Sequence, residues 1–237
     1  MSPEQKLVFF NYRKGRGVHG PKEILDGYHG HVQCDGYRVY DKIGMQQDGV
    51  ELLGCLAHAR RKFYEARQSD VNRSEHAMKL FQKIYELDSL YDRADLTVDK
   101  DRLKMRQEKI KPLYEELLQW IEKESIIVLP KSPIGKAMNY FQSQYPKLIR
   151  CLEDGRFHLD NNWIENKIRP LALGRKNYLF AGSHSGAHWM AMMYSFFGTC
   201  FMNDINPREW LKQTMEALAN QKIEDFATLV PGYRGGS

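Results

Sequence analysis

Cysteine is scarce in this sequence: Cys34, Cys55, Cys151 and Cys200 lie scattered along 237 residues with no paired spacing. That pattern excludes a disulfide framework and fits reduced thiols in a cytosolic protein. Long apolar runs are lacking too. The stretch from Ile126 to Pro130 is far shorter than the roughly 20 residues a membrane-spanning helix needs. An apolar leader is also missing, because Met1-Ser2-Pro3-Glu4-Gln5-Lys6 sets a proline and an acid where a signal peptide needs hydrophobic residues. Internal repeats and low-complexity tracts are absent. The expectation is a chain that neither spans a membrane nor is secreted.

Charge of one sign does not dominate either. The 35 Lys+Arg against 30 Asp+Glu leave a net charge of +5, and such a mild excess says little about partners by itself. Distribution says more, because nucleic-acid binding needs basic groups concentrated on one face. One basic cluster is Arg60, Arg61, Lys62 and Arg67; another is Lys167, Arg169, Arg175 and Lys176. Apolar residues at 42% and charged residues at 27% are ordinary for one or two globular domains.

Three stretches differ in character. From Lys6 to about Ala57 the pattern is strand-like and punctuated by glycine. Leu7–Tyr12 reads as a strand, Pro21 opens a short helix, His31–Cys34 reads as a second strand ending at Asp35-Gly36, and Val50–Leu56 as a third. From Arg60 to about Glu153, apolar residues recur at helical spacing: Phe63 and Ala66; Met78, Phe81 and Ile84; Leu113, Leu117, Trp120 and Ile121. A helix at Gly135–Phe141 follows, with Pro146 expected to interrupt the next. From Asp154 onward the chain is mixed. A short helix from Asp160 is expected to stop at Pro170, an apolar helix to span Ala187–Phe201 with its Trp189–Phe197 run in the core, and Pro207–Leu218 to be amphipathic. The tail after Val230 is expected to be disordered. The order is β-rich, then all-helical, then mixed, as for a helical insertion within an α/β frame.

Two acids stand out by position. Asp35 ends a strand, where α/β sheets present catalytic groups beyond their carboxyl edge; the local sequence by itself favours the Asp of a tight Asp-Gly turn. Glu165 reads as a catalytic acid or as the partner of Asn162 in a capping box. Acids far apart in sequence, one on a strand end and one on a helix, suit a two-metal site for phosphodiester chemistry, and basic residues around both suit a polyanionic substrate. Cys55-x-x-His58 is a half-set of zinc ligands that would need His184 and His188, both distant in sequence, to complete it. Tyr178 and Phe180 read as base-stacking groups or as core.

Four segments together resemble the insertion-sequence-66 family of bacterial transposases. They are Asp35-Gly36-Tyr37-Arg38-Val39-Tyr40, Cys55-Leu56-Ala57-His58-Ala59-Arg60-Arg61-Lys62-Phe63, Asp160-Asn161-Asn162-Trp163-Ile164-Glu165-Asn166-Lys167-Ile168-Arg169-Pro170, and Leu173-Gly174-Arg175-Lys176-Asn177-Tyr178-Leu179-Phe180-Ala181-Gly182-Ser183. They occur in the family's order, and the resemblance runs from about Phe9 to Leu218.

The resemblance implies an α/β fold with an RNase H-like core of the Asp-Asp-Glu type and a large helical insertion between the second Asp and the Glu. The implied division is 1–60 for the first part of the core, 61–153 for the insertion, 154–222 for the rest of the core, and 223–237 for a tail. Carried over by motif, Asp35 is the second catalytic Asp and Glu165 the catalytic Glu, both ligating Mg2+ or Mn2+ in a two-metal site. His58, Asp160 and Asn161 would support it, and Arg60, Arg61, Lys62, Arg169, Arg175 and Lys176 would bind DNA. The implied partners are element-end and target DNA, further copies of the chain, or helper proteins of the same element, in the bacterial cytoplasm at the nucleoid. The family's first Asp strand has no counterpart here, so the core is expected to be N-terminally truncated. The chain is then either part of a DNA-cleaving and DNA-joining enzyme or a non-catalytic DNA-binding or subunit-association remnant, and efficient cleavage by the isolated chain is not expected.

Overall fold

A strand–helix–strand crossover forms the α/β part of the molecule. Strand β1 (Gly30–Gln33) is followed by helix α2 (Arg38–Gln46) and by β2 (Val50–Leu53), which pairs with β1 in parallel, Gly30 opposite Val50 and Gln33 opposite Leu53. Parallel strands require such a crossover. Helix α1 (His19–Ile24) precedes β1. Gly44 of α2 lies so close to Leu52 that a Cβ there would stand 3.1 Å from the leucine side chain. In this computed structural model, residues 6–15, 17–91, 95–178, 180–220 and 225–233 are described. They belong to two compact units, one of residues 17–162 and one of residues 1–16 with 163–237.

The larger unit holds the crossover and a helical region. Its helices are α3 (Leu56–Ala66), α4 (Val71–Asp88), α5 (Asp99–Met105), α6 (Lys111–Glu124) and α7 (Pro133–Leu148), with a π-helical stretch at Arg106–Ile110. Capping explains two starts: Asp70 accepts the Arg73 amide at 3.0 Å, and Ser132 accepts the Gly135 amide at 3.1 Å ahead of Pro133. The core positions picked out by periodicity are buried here: Phe63, Phe81, Ile84, Leu117, Ile121 and Phe141 are all fully enclosed. The same core holds an ion pair, Arg106 with Asp88 at 2.7 Å, both side chains 1% exposed. Arg106 Nη1 also donates to the Cys151 and Phe157 carbonyls at 3.0 and 2.7 Å, and Arg102 Nη1 donates to the Gly155 carbonyl at 2.9 Å. Two buried arginines therefore hold the loop that leads to Asp160.

The smaller unit contains α8 (Asn162–Tyr178, whose first residue closes the larger unit), α9 (His184–Met202) and α10 (Pro207–Ala219). Trp210 of α10 lies against Phe196 and Phe197 of α9 and donates its indole N–H to the Leu229 carbonyl at 2.9 Å. Residues Phe226–Leu229 form a 3-10 turn, and 231–233 continue from it with the Tyr233 amide bonded to the Val230 carbonyl at 3.0 Å. Of the tail expected to be disordered, residues 234–237 lie outside the described residues.

Four expectations require correction. Leu7–Tyr12 is extended and Leu7 makes a single β-bridge, but the stretch is not a strand of the β1–β2 sheet; side chains of α9 and of Asn203 just past it bond its backbone. Ser195 accepts the Phe10 amide at 2.8 Å, Thr199 accepts the Val8 amide at 3.1 Å, and Asn203 donates to the Lys6 carbonyl at 3.0 Å. Four helical residues rise about 6 Å and two extended residues about 6.6 Å, so the two repeats nearly match. Pro170 does not end a helix, nor does Pro146: they lie inside α8 and α7. Both are exposed, so water can satisfy the carbonyl that each leaves without an amide. The Trp189–Phe197 run of α9, expected to be core, keeps Trp189 63% and Met192 39% exposed, so one side of the helix faces solvent. Helix α2, which the sequence did not announce, is nine residues long and buries only Ile43 fully. No helix among the described residues is long and apolar enough to cross a membrane. All four cysteines are free thiols and buried.

Candidate functional site

The carboxyl ends of β1 and β2 meet the start of the Asp160 segment through one side chain. Gln33, the last residue of β1, donates its amide to the Gly54 carbonyl at 3.2 Å and to the His158 carbonyl at 2.8 Å. Asp35 follows two residues later. It is exposed beyond the strand, and its Oδ1 accepts the Tyr37 amide at 3.0 Å. Gly36 follows at φ +80, a left-handed conformation that favours glycine. The turn reading and the catalytic reading of Asp35 thus describe one geometry: the turn is what presents the carboxylate at the sheet end.

Cys55 and His58 open α3 on the other side of this edge. Cys55 Sγ lies 3.1 Å from His58 Nδ1 and accepts backbone amides of the α3 first turn and of Asn161. Burial pushes the Cys55 thiol up to about 11, although those amides pull the other way. It is therefore a protonated structural thiol rather than a nucleophile at neutral pH. Asp160 is 2% exposed and accepts the Asn162 amide at 3.1 Å. Asn162 is itself the first residue of α8 rather than its N-cap, and the bond from its amide to the Asp160 carboxylate turns the chain into the helix.

Sequence reasoning missed Tyr140. It sits on α7 and donates its hydroxyl to the Asp35 carbonyl at 2.9 Å. Lys62 of α3 places its ammonium 4.8 Å from the centre of the Tyr140 ring. Burial raises the Tyr140 phenol, and the nearby Cys55 thiol and Asp35 carboxylate add to the rise, so it stays a donor. The only sequence signal was its position in a helical pattern, which made it look like another core aromatic.

The remaining expected residues are distributed as follows. Arg60 and Arg61 are exposed on α3 beside Lys62. Glu165 lies in the first turn of α8, half-buried, in the smaller unit, whereas Asp35 belongs to the larger one. Arg169 and Lys176 are exposed on α8; the Arg175 and Tyr178 side chains lie outside the described residues. Phe180 is 74% exposed, so it is not core. His184 and His188 pack around Tyr12, with His184 Nδ1 2.7 Å from the tyrosine hydroxyl, and no three-ligand group forms around Cys55 among the described residues.

Asp35 presents an exposed carboxylate, and the Asn161 side-chain oxygen is buried with no protein hydrogen bond. This donor chemistry fits Mg2+ or Mn2+ rather than zinc. Among the described residues His31 of β1, Glu51 of β2 and Glu153 bring possible ligand atoms within 4.8 Å of one another. This group is exposed, and Arg150 already stands 3.6 Å from Glu51.

Comparison with known proteins adds the following. Residues 1–189 match the family described as "Transposase IS66 family". An uncharacterized protein of Sinorhizobium fredii, y4hP, is 30% identical over 240 residues, covering 94% of this chain and 43% of the relative. Another from the same organism, y4qI, is 35% identical over 219 residues, covering 90% of this chain and 40% of the relative. The chain thus spans less than half the length of these curated relatives. No solved structure matches it.

Proposed function

This chain belongs to the IS66 transposase family, and we propose that it forms part of a metal-dependent DNA transposase that cuts the ends of a bacterial insertion sequence and joins them to target DNA. The observation that carries the reading is the Gln33 bridge. It ties the strand end bearing Asp35 to the segment bearing Asp160 and Asn161, residues separated by the whole helical region. A sheet end that collects acids from distant motifs is the architecture phosphodiester chemistry uses.

In this proposal the fold is an RNase H-like core carrying a helical insertion, and Asp35 and Glu165 are the carboxylate ligands. Bound Mg2+ or Mn2+ supplies Lewis-acid stabilisation of charge on the phosphate oxygens. The chain's own residues do the rest. The Asx bond from the Tyr37 amide fixes the Asp35 carboxylate, Asp160 and Asn161 shape the entry to the Glu165 helix, and His58 faces the same edge from α3. Arg60, Arg61, Lys62, Arg169, Arg175 and Lys176 hold the DNA backbone. DNA is the principal partner, with further copies of the chain or helper proteins of the same element, in the bacterial cytoplasm at the nucleoid.

The test is strand cleavage of element-end DNA with Mg2+ or Mn2+, comparing the unaltered protein with Asp35→Asn and Glu165→Gln. Loss of cleavage in both variants, with DNA binding retained, is the expected result. Cleavage that survives both substitutions overturns the site. DNA binding with no cleavage under any metal condition makes this chain a binding or assembly element instead.

A further inference from the structure

The turn that offers Asp35 is built from two sides. Within the turn, the Tyr37 amide bonds Asp35 Oδ1 at 3.0 Å. From outside, Tyr140 of the helical region bonds the Asp35 carbonyl at 2.9 Å. The fit is tight: a Cβ on Gly36 would stand 2.7 Å from the Tyr140 oxygen and 3.2 Å from Gln144 Oε1. A side chain is thus excluded at Gly36 both by its φ of +80 and by the tyrosine pressed against it. The ring in turn carries the Lys62 ammonium at 4.8 Å, a cation–π pair that braces α3 against α7. Gln144 receives a bond from Lys147 at 3.3 Å, and Lys147 pairs with Asp41 of α2. Three helices therefore close around one two-residue turn.

We propose that Tyr140 is a positioning residue for Asp35: its hydroxyl fixes the peptide of the Asp35–Gly36 turn and so the direction in which the carboxylate meets a divalent cation. The inference rests on the reading of Asp35 as a metal ligand. Peptide rotation is the freedom that an Asp-Gly turn otherwise keeps, since glycine restrains it least. Groups that orient a ligand from behind typically change metal affinity by about 10–100-fold when removed. The helical region is then more than an appendage, because it reaches back and sets the geometry of the sheet end it interrupts.

The experiment counts bound Mn2+ by the loss of the free-ion electron paramagnetic resonance signal. The full chain is used on a Glu153→Gln background, which silences the His31–Glu51–Glu153 group. Unaltered Asp35, Asp35→Asn, Tyr140→Phe and Gly36→Ala are compared, with unfolding midpoints measured alongside. Tyr140→Phe keeps the ring, its packing and the Lys62 pairing, and removes only the hydroxyl. Expected are loss of the site in Asp35→Asn and about tenfold weaker Mn2+ binding in Tyr140→Phe at an unchanged midpoint. Gly36→Ala should weaken binding as well. If Asp35→Asn loses the site while Tyr140→Phe binds as the unaltered protein does, the positioning role is wrong and the Asp35 reading stands. If Asp35→Asn binds normally, the metal reading fails and the role of Tyr140 fails with it.

Discussion

The Leu56 amide donates to the Leu159 carbonyl across 2.8 Å, so the first residue of the helical region and the residue beyond its last turn are neighbours. All of α3 to α7 leaves the strand–helix–strand crossover and returns to it at one place. An excursion whose ends meet can be long without distorting its host, because closure entropy grows only slowly with length. The return point precedes Asp160 by one residue, which delivers that acid to the carboxyl edge of β1 and β2.

The return loop is held by Arg106, so its removal is expected to be costly. Arg106→Met leaves Asp88 buried without its cation and frees the Cys151 and Phe157 carbonyls. Breaking a buried pair on one side costs about 3–5 kcal/mol. Urea unfolding should show a loss of that size, and Arg106→Met with Asp88→Leu should recover much of it. A loss below about 1 kcal/mol would mean that the pair does not hold the loop.

The ladder between α9 and the extended Lys6–Phe10 segment makes a local prediction. Thr199→Val removes the acceptor of the Val8 amide, and Ser195→Ala removes that of the Phe10 amide. Each orphaned amide should cost about 1–3 kcal/mol if it stays buried. Hydrogen exchange at Val8 and Phe10 should accelerate in the matching variant and not in the other. Equal rates in both variants would show that the hydroxyls do not act as separate rungs.

The sequence carried the motifs better than their supports. Asp35 was marked by its place at a strand end, and Cys55, His58, Asp160 and Asn161 lay in segments that resemble the family's motifs. The helices between 61 and 153 showed in the spacing of Phe63, Phe81, Leu117 and Ile121, because a buried stripe forces that spacing. Tyr140 was hidden: one aromatic in a helix pattern looks the same whether it faces a core or a distant turn. Leu7–Tyr12 reads as a strand because its backbone is extended, yet beyond the bridge at Leu7 that backbone is bonded by Ser195 and Thr199 of α9 and by Asn203 just past it. Pro170 and Pro146 misled because an exposed helix face tolerates the missing amide. The larger and smaller units each carry one of the two expected acids, so motif and chemistry alone support their joint action.

Alkaline pH should weaken the fold through its thiols. Burial raises Cys55 and Cys151 from 9.0 to about 11, and raises Cys34 as well. Below pH 9 the thiols are protonated in both folded and unfolded chains, and their contribution is constant. Between pH 9 and 11 the unfolded chain loses protons that the folded chain keeps, so stability falls by up to about 1.4 kcal/mol per pH unit per thiol. Urea midpoints measured from pH 8 to 10.5 should decline, and Cys151→Ala should lessen the decline. A flat profile would contradict thiol burial.

DNA binding should depend on α3 in a graded way that helix geometry dictates. Successive residues turn about 100°, and the buried Ala59 and Phe63 mark the inward side. Arg61 then sits near the centre of the outward side, with Arg60 and Lys62 flanking it, all three exposed. Lys62 is the flank that leans over Tyr140, and through it toward the Asp35 turn. A backbone reaching Asp35 should pass Lys62 and Arg61 before Arg60. Removing one cation that neutralises a phosphate flattens the slope of log affinity against log salt by about 0.9 for duplex DNA. Lys62→Gln and Arg61→Gln are therefore each expected to flatten it by about one, and Arg60→Gln by less. Arg169→Gln and Lys176→Gln test the α8 cluster separately. The measurement is affinity for a short duplex of arbitrary sequence across a salt series, since bonds to phosphates carry no sequence information. Equal effects from all three α3 residues would place the backbone along the helix axis rather than toward Asp35. An unchanged slope after all five substitutions would reduce both clusters to solvated faces.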